Sequence, residues 1–360
     1  QGAPPGSDTR SRRHLAVRVT FALSFGLIAG FLFSWATFPL PWMLGPMVAL
    51  TVAAVLRLPI SSPSAARPYV VVVIGVMLGS GFTPALYDQL GAWALSFAFL
   101  IVYIAVCGAL VVPYYQRIAG FDRVTANFSG MPGGLNEMML VGRDMGGDER
   151  KIALAHASRI VVVVAFVAIW FRLIQGLDLS DRSQFGTPFV EIPGIEIAVL
   201  FLAGVIGFFL GRALRLPAPT LLGPMIVSAA VHIAGWTDSP PPQELVVVAQ
   251  IVLGTIIGCR FVGSSPGLIG QAILISIGAT LVMLTITLLF AFGVHGLFRQ
   301  SFEQVVLAYS PGGLAEMSLV ALAMNADIAY VASHHLVRIT FIVMVAPVVF
   351  RYFQRAKGSD

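Results

Sequence analysis

MPGGLNEM at residues 131–138 returns as SPGGLAEM at 310–317, which is 179 residues later in a chain of 360. Two other stretches repeat in the same order. FPLPWMLGPM (38–47) returns as LPAPTLLGPM (216–225), and VIGVMLGSGF (73–82) returns as VLGTIIGCRF (252–261). Asp148, His156 and Arg159 recur as Asp327, His335 and Arg338. Three blocks in register, with a one-residue adjustment, mark an internal duplication. The halves are expected at 15–175 and 193–354, with a linker at 176–192. A polar, basic N-terminal tail (1–14) and a short C-terminal tail (355–360) complete the division.

Composition fixes what kind of chain is duplicated. Hydrophobic residues make up 57% and charged residues only 11%, against about 25% charged in an average soluble domain. So little charge cannot keep the surface of a soluble globule solvated. Apolar windows long enough to span a bilayer recur along the chain, among them 89–116 and 261–294, which carry no charge. Leu15 to Ala36 is too long for a signal-peptide core and reads as a first membrane helix. The fold class is therefore an all-α polytopic membrane protein. Turn-rich breaks fall at 57–68, 175–193 and 236–243, none of them long enough for a soluble domain.

The net charge of +5 does not point to nucleic acid. The cations are scattered, with one small cluster at Arg10, Arg12 and Arg13, and no nucleic-acid-binding signature accompanies them. Cys107 and Cys259 lie inside apolar runs, so neither a disulfide framework nor a CxxC site is expected. The cations instead choose a topology. If each PGG segment dips in and returns, every half has five crossings and the halves are inverted. With the N-terminus inside, that arrangement places 17 of the 22 Lys and Arg inside and three outside. If the PGG segments cross instead, the halves are parallel and the division is 14 to six. Inverted repeats of five crossings, each with a re-entrant or broken PGG segment, are favoured, with both termini cytoplasmic.

Proline and paired glycines must interrupt a helix at Pro132, Gly133 and Gly134, and again at Pro311, Gly312 and Gly313. Broken backbone at membrane depth is tolerated where it is buried in protein or faces an aqueous cavity. Two such breaks at equivalent places in two halves are the best sequence pointer to a transporter site. Each would aim a helix N-terminus at the cavity, which suits an anion.

Glu137 and Glu316 follow each break within one turn. An intramembrane carboxylate suggests a proton carrier or a cation ligand; it could equally complement its own helix dipole and pair with an arginine. Arg159 and Arg338 lie deep in apolar helices and need partners, for which Glu137 and Glu316 are natural candidates. Substrate binding by the arginines is an equal alternative. His156 and His335 share a helix face with them at i,i+3 spacing. They are candidate proton relays, although a hydrogen-bonded packing role is the commoner fate of such residues. Asp148 and Asp327 read as helix caps. Gly75 with Gly79, and Gly254 with Gly258, read as close-packing steps. Pro39 with Pro41, and Pro217 with Pro219, read as helix starts. His334 and Asn127 have no counterparts and carry little weight.

The pattern LPWMLGPM, PGGLNEM and AHASR, followed by LPAPTLLGPM, PGGLAEM and HHLVR, resembles the AbrB family of duplicated bacterial integral membrane proteins over essentially the whole chain. The resemblance implies a protein of the bacterial inner membrane. Family members carry the labels ammonia monooxygenase and regulator of gene expression, and neither label identifies a mechanism.

Three functions compete. The first is a secondary transporter of a small anionic solute, proton-coupled through Glu137 and Glu316. The second is a membrane-bound regulator of gene expression acting through a partner or a solute level. The third, a metalloenzyme built from two Glu and two His, lacks any HxxxH, ExxH or CxxC spacing. The expectation is a non-enzymatic protein without cofactor or metal. Its partners are a solute and membrane lipid, with no nucleic acid, and homo-oligomerisation is left open.

Overall fold

A computed structural model describes residues 7–38, 40–84, 90–174, 186–216, 218–298, 300–324 and 326–357. Pro39, Pro217 and most of the expected linker lie outside them. Fourteen α-helices and no strand are found among the described residues. In the first half they are α1 (Ser7–Trp35), α2 (Pro41–Val55), α3 (Arg67–Ser80), α4 (Leu90–Arg117), α5 (Arg123–Gly130), α6 (Leu135–Asp144) and α7 (Glu149–Ile174). In the second they are α8 (Gly194–Ala213), α9 (Pro219–Ile233), α10 (Gln243–Gly258), α11 (Pro266–Phe298), α12 (Phe302–Tyr309), α13 (Leu314–Ala323) and α14 (Ile328–Lys357). Helix α1 reaches back to Ser7, into what the sequence suggests is a tail.

Seven of these helices are long and apolar enough to cross a bilayer, so the chain is a multi-pass membrane protein. Three expected crossings are shorter. Helices α2, α3 and α9 have 15, 14 and 15 residues, or about 22 Å at 1.5 Å per residue, against a hydrocarbon core of about 30 Å. Each packs against a longer helix. Helix α2 packs between α1 and α10, and α9 packs between α8 and α3.

Local backbone repeats along with sequence. Leu40 before α2 and Ala218 before α9 are both left-handed, at φ 47° and 45°. Pro41 and Pro219 then start the two helices, where a missing N–H costs nothing. Asp148 Oδ1 accepts from Lys151 N at 3.1 Å, and Asp327 Oδ1 accepts from Tyr330 N at 3.0 Å, so each caps its helix. The glycine steps seat backbone on backbone. A Cβ on Gly75 would come within 2.5 Å of the Leu221 carbonyl, and one on Gly254 would strike that of Met43.

Those contacts give the helix directions. Gly75 and Gly79 lie against Leu221 and Met225, so α3 and α9 run the same way. Gly254 and Gly258 lie against Met43 and Met47, so α10 and α2 run the same way. The start of α3 and the end of α10 meet in one cleft through Arg67 and Arg260. Arg18 in the first half of α1, Arg57 after α2 and Arg150 near the start of α7 share the neighbouring cleft. Both clefts therefore lie at one cation-rich end. Ile328, which opens α14, packs on Gly81 just past the opposite end of α3. Helix α7 starts at the cation-rich end and its equivalent α14 at the other.

The helices form two bundles, each mixing both halves. Helices α1–α3 pack with α8–α10, and α4–α7 pack with α11–α14.

Candidate functional site

Helices α5 and α6 have eight and ten residues, roughly 12 and 15 Å, so each covers only half a bilayer. They form a hairpin whose base is closed by sequence-local bonds. Asp148 N donates to Thr125 Oγ1 at 2.9 Å, and Gly147 N donates to the Gly142 carbonyl at 2.8 Å. Asp122 caps α5 by accepting from Thr125 N at 2.9 Å. The PGG segment is thus the tip of a hairpin that enters from the cation-rich end. Met131 and Gly134 bracket it in extended conformation, with ψ of 134° and 138°. Helices α12 and α13 repeat this form, with a Ser301–Gln304 capping box at the start and an extended Ser310 and Gly313 at the break. The first tip abuts the other half. A Cβ on Gly133 would lie 3.1 Å from Ile342, and one on Gly134 3.6 Å from Ile339, both in α14.

A proline and two glycines leave carbonyls of the break, just past α5 and α12, without helical partners. A buried arginine takes two of them in each case. Arg159 donates to the Met131 carbonyl at 3.0 Å and the Gly133 carbonyl at 3.2 Å. Arg338 donates to Gly312 at 2.6 Å and also to Ser310. These side chains are only 3% and 1% exposed, so an unpaired guanidinium would be costly there. The negative end of a short helix supplies the compensation. Nε of each arginine is buried without a hydrogen-bond partner.

A histidine completes each latch. His156 engages the Phe128 carbonyl at 2.7 Å through Nε2 and Arg159 Nη2 at 2.8 Å through Nδ1. His335 does the same with Leu307 at 3.0 Å and Arg338 at 2.9 Å. A carbonyl only accepts and a guanidinium only donates, so both rings are neutral with the proton on Nε2. Neither ring has a free nitrogen. Among the described residues, no group of three His, Cys, Asp or Glu gathers where a metal could sit.

The glutamates do not meet these arginines. Among the described residues no ion pair joins Glu137 or Glu316 to Arg159 or Arg338. Each glutamate instead folds back over the start of its own helix, where a Cβ on Gly134 or Gly313 would collide with its Oε2. The second glycine of each motif makes room for the carboxylate. The break is thus bracketed by charge, with a cation at the carbonyl end of one half-helix and an anion at the amide end of the next. Both glutamates are half-buried.

Several residues not expected at the site lie nearby. Tyr103 and Cys107 of α4 are within electrostatic range of both Arg159 and Arg338. Arg260 Nη2 donates to Asn136 Oδ1 at 3.3 Å, and both Arg67 and Arg260 act on Glu316. His334 joins a buried network in which Ser96 Oγ lies 2.7 Å from His334 Nε2 and 2.7 Å from Tyr330 Oη. Asn127 Nδ2 is buried without a partner beside an apolar crevice between α4 and α14.

The chain was compared with known proteins. It is 26% identical over 344 residues to "Putative regulator AbrB" of Escherichia coli (strain K12), covering 93% of this chain and 94% of that protein. It is 23% identical over 364 residues to "Uncharacterized protein YhjN" of Bacillus subtilis (strain 168), covering 94% and 93%. The family described as "Transition state regulatory protein AbrB" matches residues 42–354, which include both PGG hairpins, and the chain belongs to that AbrB family.

Proposed function

We propose that the protein is a secondary transporter of a small anionic solute in the bacterial inner membrane, built from two inverted halves. The observation that carries this reading is the pair of latched PGG hairpins. Equivalent helices α3 and α10 run in opposite directions, as do α7 and α14, which is the relation of inverted repeats. Two hairpins so related enter from opposite faces and bring their tips together near mid-depth. Cations crowd one end, with Arg18, Arg57 and Arg150 in one cleft and Arg67 and Arg260 in the next. The positive-inside rule makes that end cytoplasmic. Helix α1 starts there and α14 ends there, so both termini face the cytoplasm.

In this reading the arginines and histidines hold the broken backbone and do not carry protons. Glu137 and Glu316, free of those arginines, are the proton carriers. Pro132, Gly133, Gly134, Pro311, Gly312 and Gly313 present helix N-termini to the solute. Movement of one mixed bundle against the other would alternate access. No catalytic chemistry is assigned. Flux driven by a pH gradient in proteoliposomes tests the reading, and Glu137→Gln and Glu316→Gln should each abolish the coupling. Unchanged pH-driven flux in both variants would remove the proton role.

A second reading, control of gene expression through a partner or a solute level, is favoured by the name of the Escherichia coli relative. Recovery of a stoichiometric signalling protein with the purified chain would support it.

A further inference from the structure

One break in the duplication gathers charge at the site. At the offset of 179, Arg260 answers to Gly81, Arg67 to Val246 and Asn136 to Ala315. The three polar residues without counterparts are brought together by three different helical segments. Asn136 follows the first hairpin tip, Arg67 opens α3, and Arg260 follows α10. Arg260 Nη2 donates to Asn136 Oδ1 at 3.3 Å. With the amide turned over, that oxygen accepts from both terminal nitrogens of Arg67 at 3.2 Å. The one neutral oxygen therefore serves Arg260 in one amide orientation and Arg67 in the other, never both at once. Among the described residues no carboxylate lies within 4.0 Å of either arginine. Glu316, the nearby anion, acts on both from the start of α13.

Two cations served by one neutral acceptor, one at a time, leave most of their donors unspent. They front a cleft of about 560 Å³ that is also lined by the hydroxyl residues Ser62, Ser64 and Thr220. Guanidiniums and hydroxyls are donors matched to the oxygens of a small oxyanion, of which a carboxylate fits the planar fork of one arginine. With Glu316 ionised, Arg67, Arg260 and Glu316 sum to one positive charge, which a monoanion neutralises; when Glu316 carries a proton the sum is two.

We propose that this cleft binds a small monocarboxylate, held by Arg67 and Arg260 and the Asn136 amide, on the way to the hairpin tips. The inference deepens the transport reading by naming its solute class, and it rests on that reading for the direction of travel alone. The cleft gives the cation-rich side an anion site that the opposite side lacks, because Gly81 and Val246 stand in the equivalent positions.

Binding to the purified full chain in detergent tests this, using straight-chain monocarboxylates from acetate to hexanoate, with benzoate, at fixed ionic strength. Chloride and inorganic phosphate are the comparators. At least one carboxylate should bind more tightly than either comparator. Arg67→Gln and Arg260→Gln should each weaken that binding about tenfold or more, the scale of a lost charge-assisted bidentate contact. Glu316→Gln should tighten it, and Arg18→Gln and Arg57→Gln should leave it unchanged. Arg67→Lys and Arg260→Lys keep the charge and guard against misfolding; melting at the parent temperature with weakened binding would still support the site. No carboxylate outcompeting chloride, phosphate binding better than every carboxylate, or parental affinity in both Gln variants would each overturn it. Binding without flux in proteoliposomes would sink the transport reading and leave the site standing. Flux untouched by Arg67→Gln and Arg260→Gln would overturn the site and leave transport standing.

Discussion

Arg159 donates from Nη2 to the carbonyl of Gly133 at 3.2 Å, across the gap between two half-helices. In the second half Arg338 reaches the carbonyl of Gly312 over the same separation of 26 residues, at 2.6 Å. Each PGG motif therefore comes with its own buried cation. The latch explains why Arg159 and Arg338 survive in apolar helices without a carboxylate. Partial charges on freed carbonyls, together with the adjoining histidine, replace the ion pair.

The latch should not tolerate lysine. A lysine is a point charge without the planar fork that spans two carbonyls and a ring nitrogen. Arg159→Lys and Arg338→Lys are each expected to cost about 2–4 kcal/mol, the scale of leaving buried polar groups unpaired. Thermal unfolding in detergent reads this directly. A Lys variant that melts with the parent would mean that charge alone suffices.

Glutamine should replace the histidines. Its amide can donate to the Phe128 or Leu307 carbonyl while its oxygen accepts from the neighbouring arginine. His156→Gln and His335→Gln should keep flux, with an unchanged pH profile. His156→Ala should lose about 1–3 kcal/mol of stability through the orphaned carbonyl. Loss of pH dependence on His→Gln would return these residues to the proton path.

The glycine steps give a paired test. Gly75→Ala drives a methyl group into the Leu221 carbonyl and should destabilise by about 1–3 kcal/mol. Gly293→Ala, in α11 with no neighbour within 4 Å of its Cβ, should be neutral or slightly stabilising. Equal melting temperatures for the two variants would contradict the packing described.

Asp122 should give the first hairpin an acid-sensitive base. Partial burial raises its pKa, but hydrogen bonds from Thr125 and the adjacent backbone lower it further, so it ends below the usual aspartate value. A depressed carboxylate stabilises the fold above its unfolded pKa, and that contribution fades as pH falls through the folded one. Asp122→Ala should cost about 1 kcal/mol near neutral pH. The difference from the parent should shrink on acidification, as followed by thermal unfolding across that range.

Much of this was readable from spacing. Repeats at one offset locate the hairpins, the caps at Asp148 and Asp327 and the glycine steps, because each depends on residue types at fixed separations. Partnering was less legible. Glu137 looked like the mate of Arg159, but a carbonyl needs no side chain and so leaves no mark in the sequence. Arg67 and Arg260 counted only as topology-setting cations, since their meeting over Asn136 depends on three segments that tertiary packing alone brings together. Helices α2, α3 and α9 are shorter than expected crossings, which an apolar window alone does not reveal. His334 has no counterpart to mark it in the sequence, yet it belongs to a hydrogen-bonded network with Ser96.

The opposed hairpins carry the whole account, and one measurement addresses them most directly. In a background with Cys107 and Cys259 replaced by alanine, single cysteines at Arg123 and Ser301 mark the bases of the first and second hairpins. A membrane-impermeant thiol reagent is then added to right-side-out and inverted vesicles. The expected result is that Arg123→Cys reacts from the cytoplasmic face alone and Ser301→Cys from the outer face alone. Labelling of both positions from the same face would contradict inverted halves and the meeting of the two PGG tips.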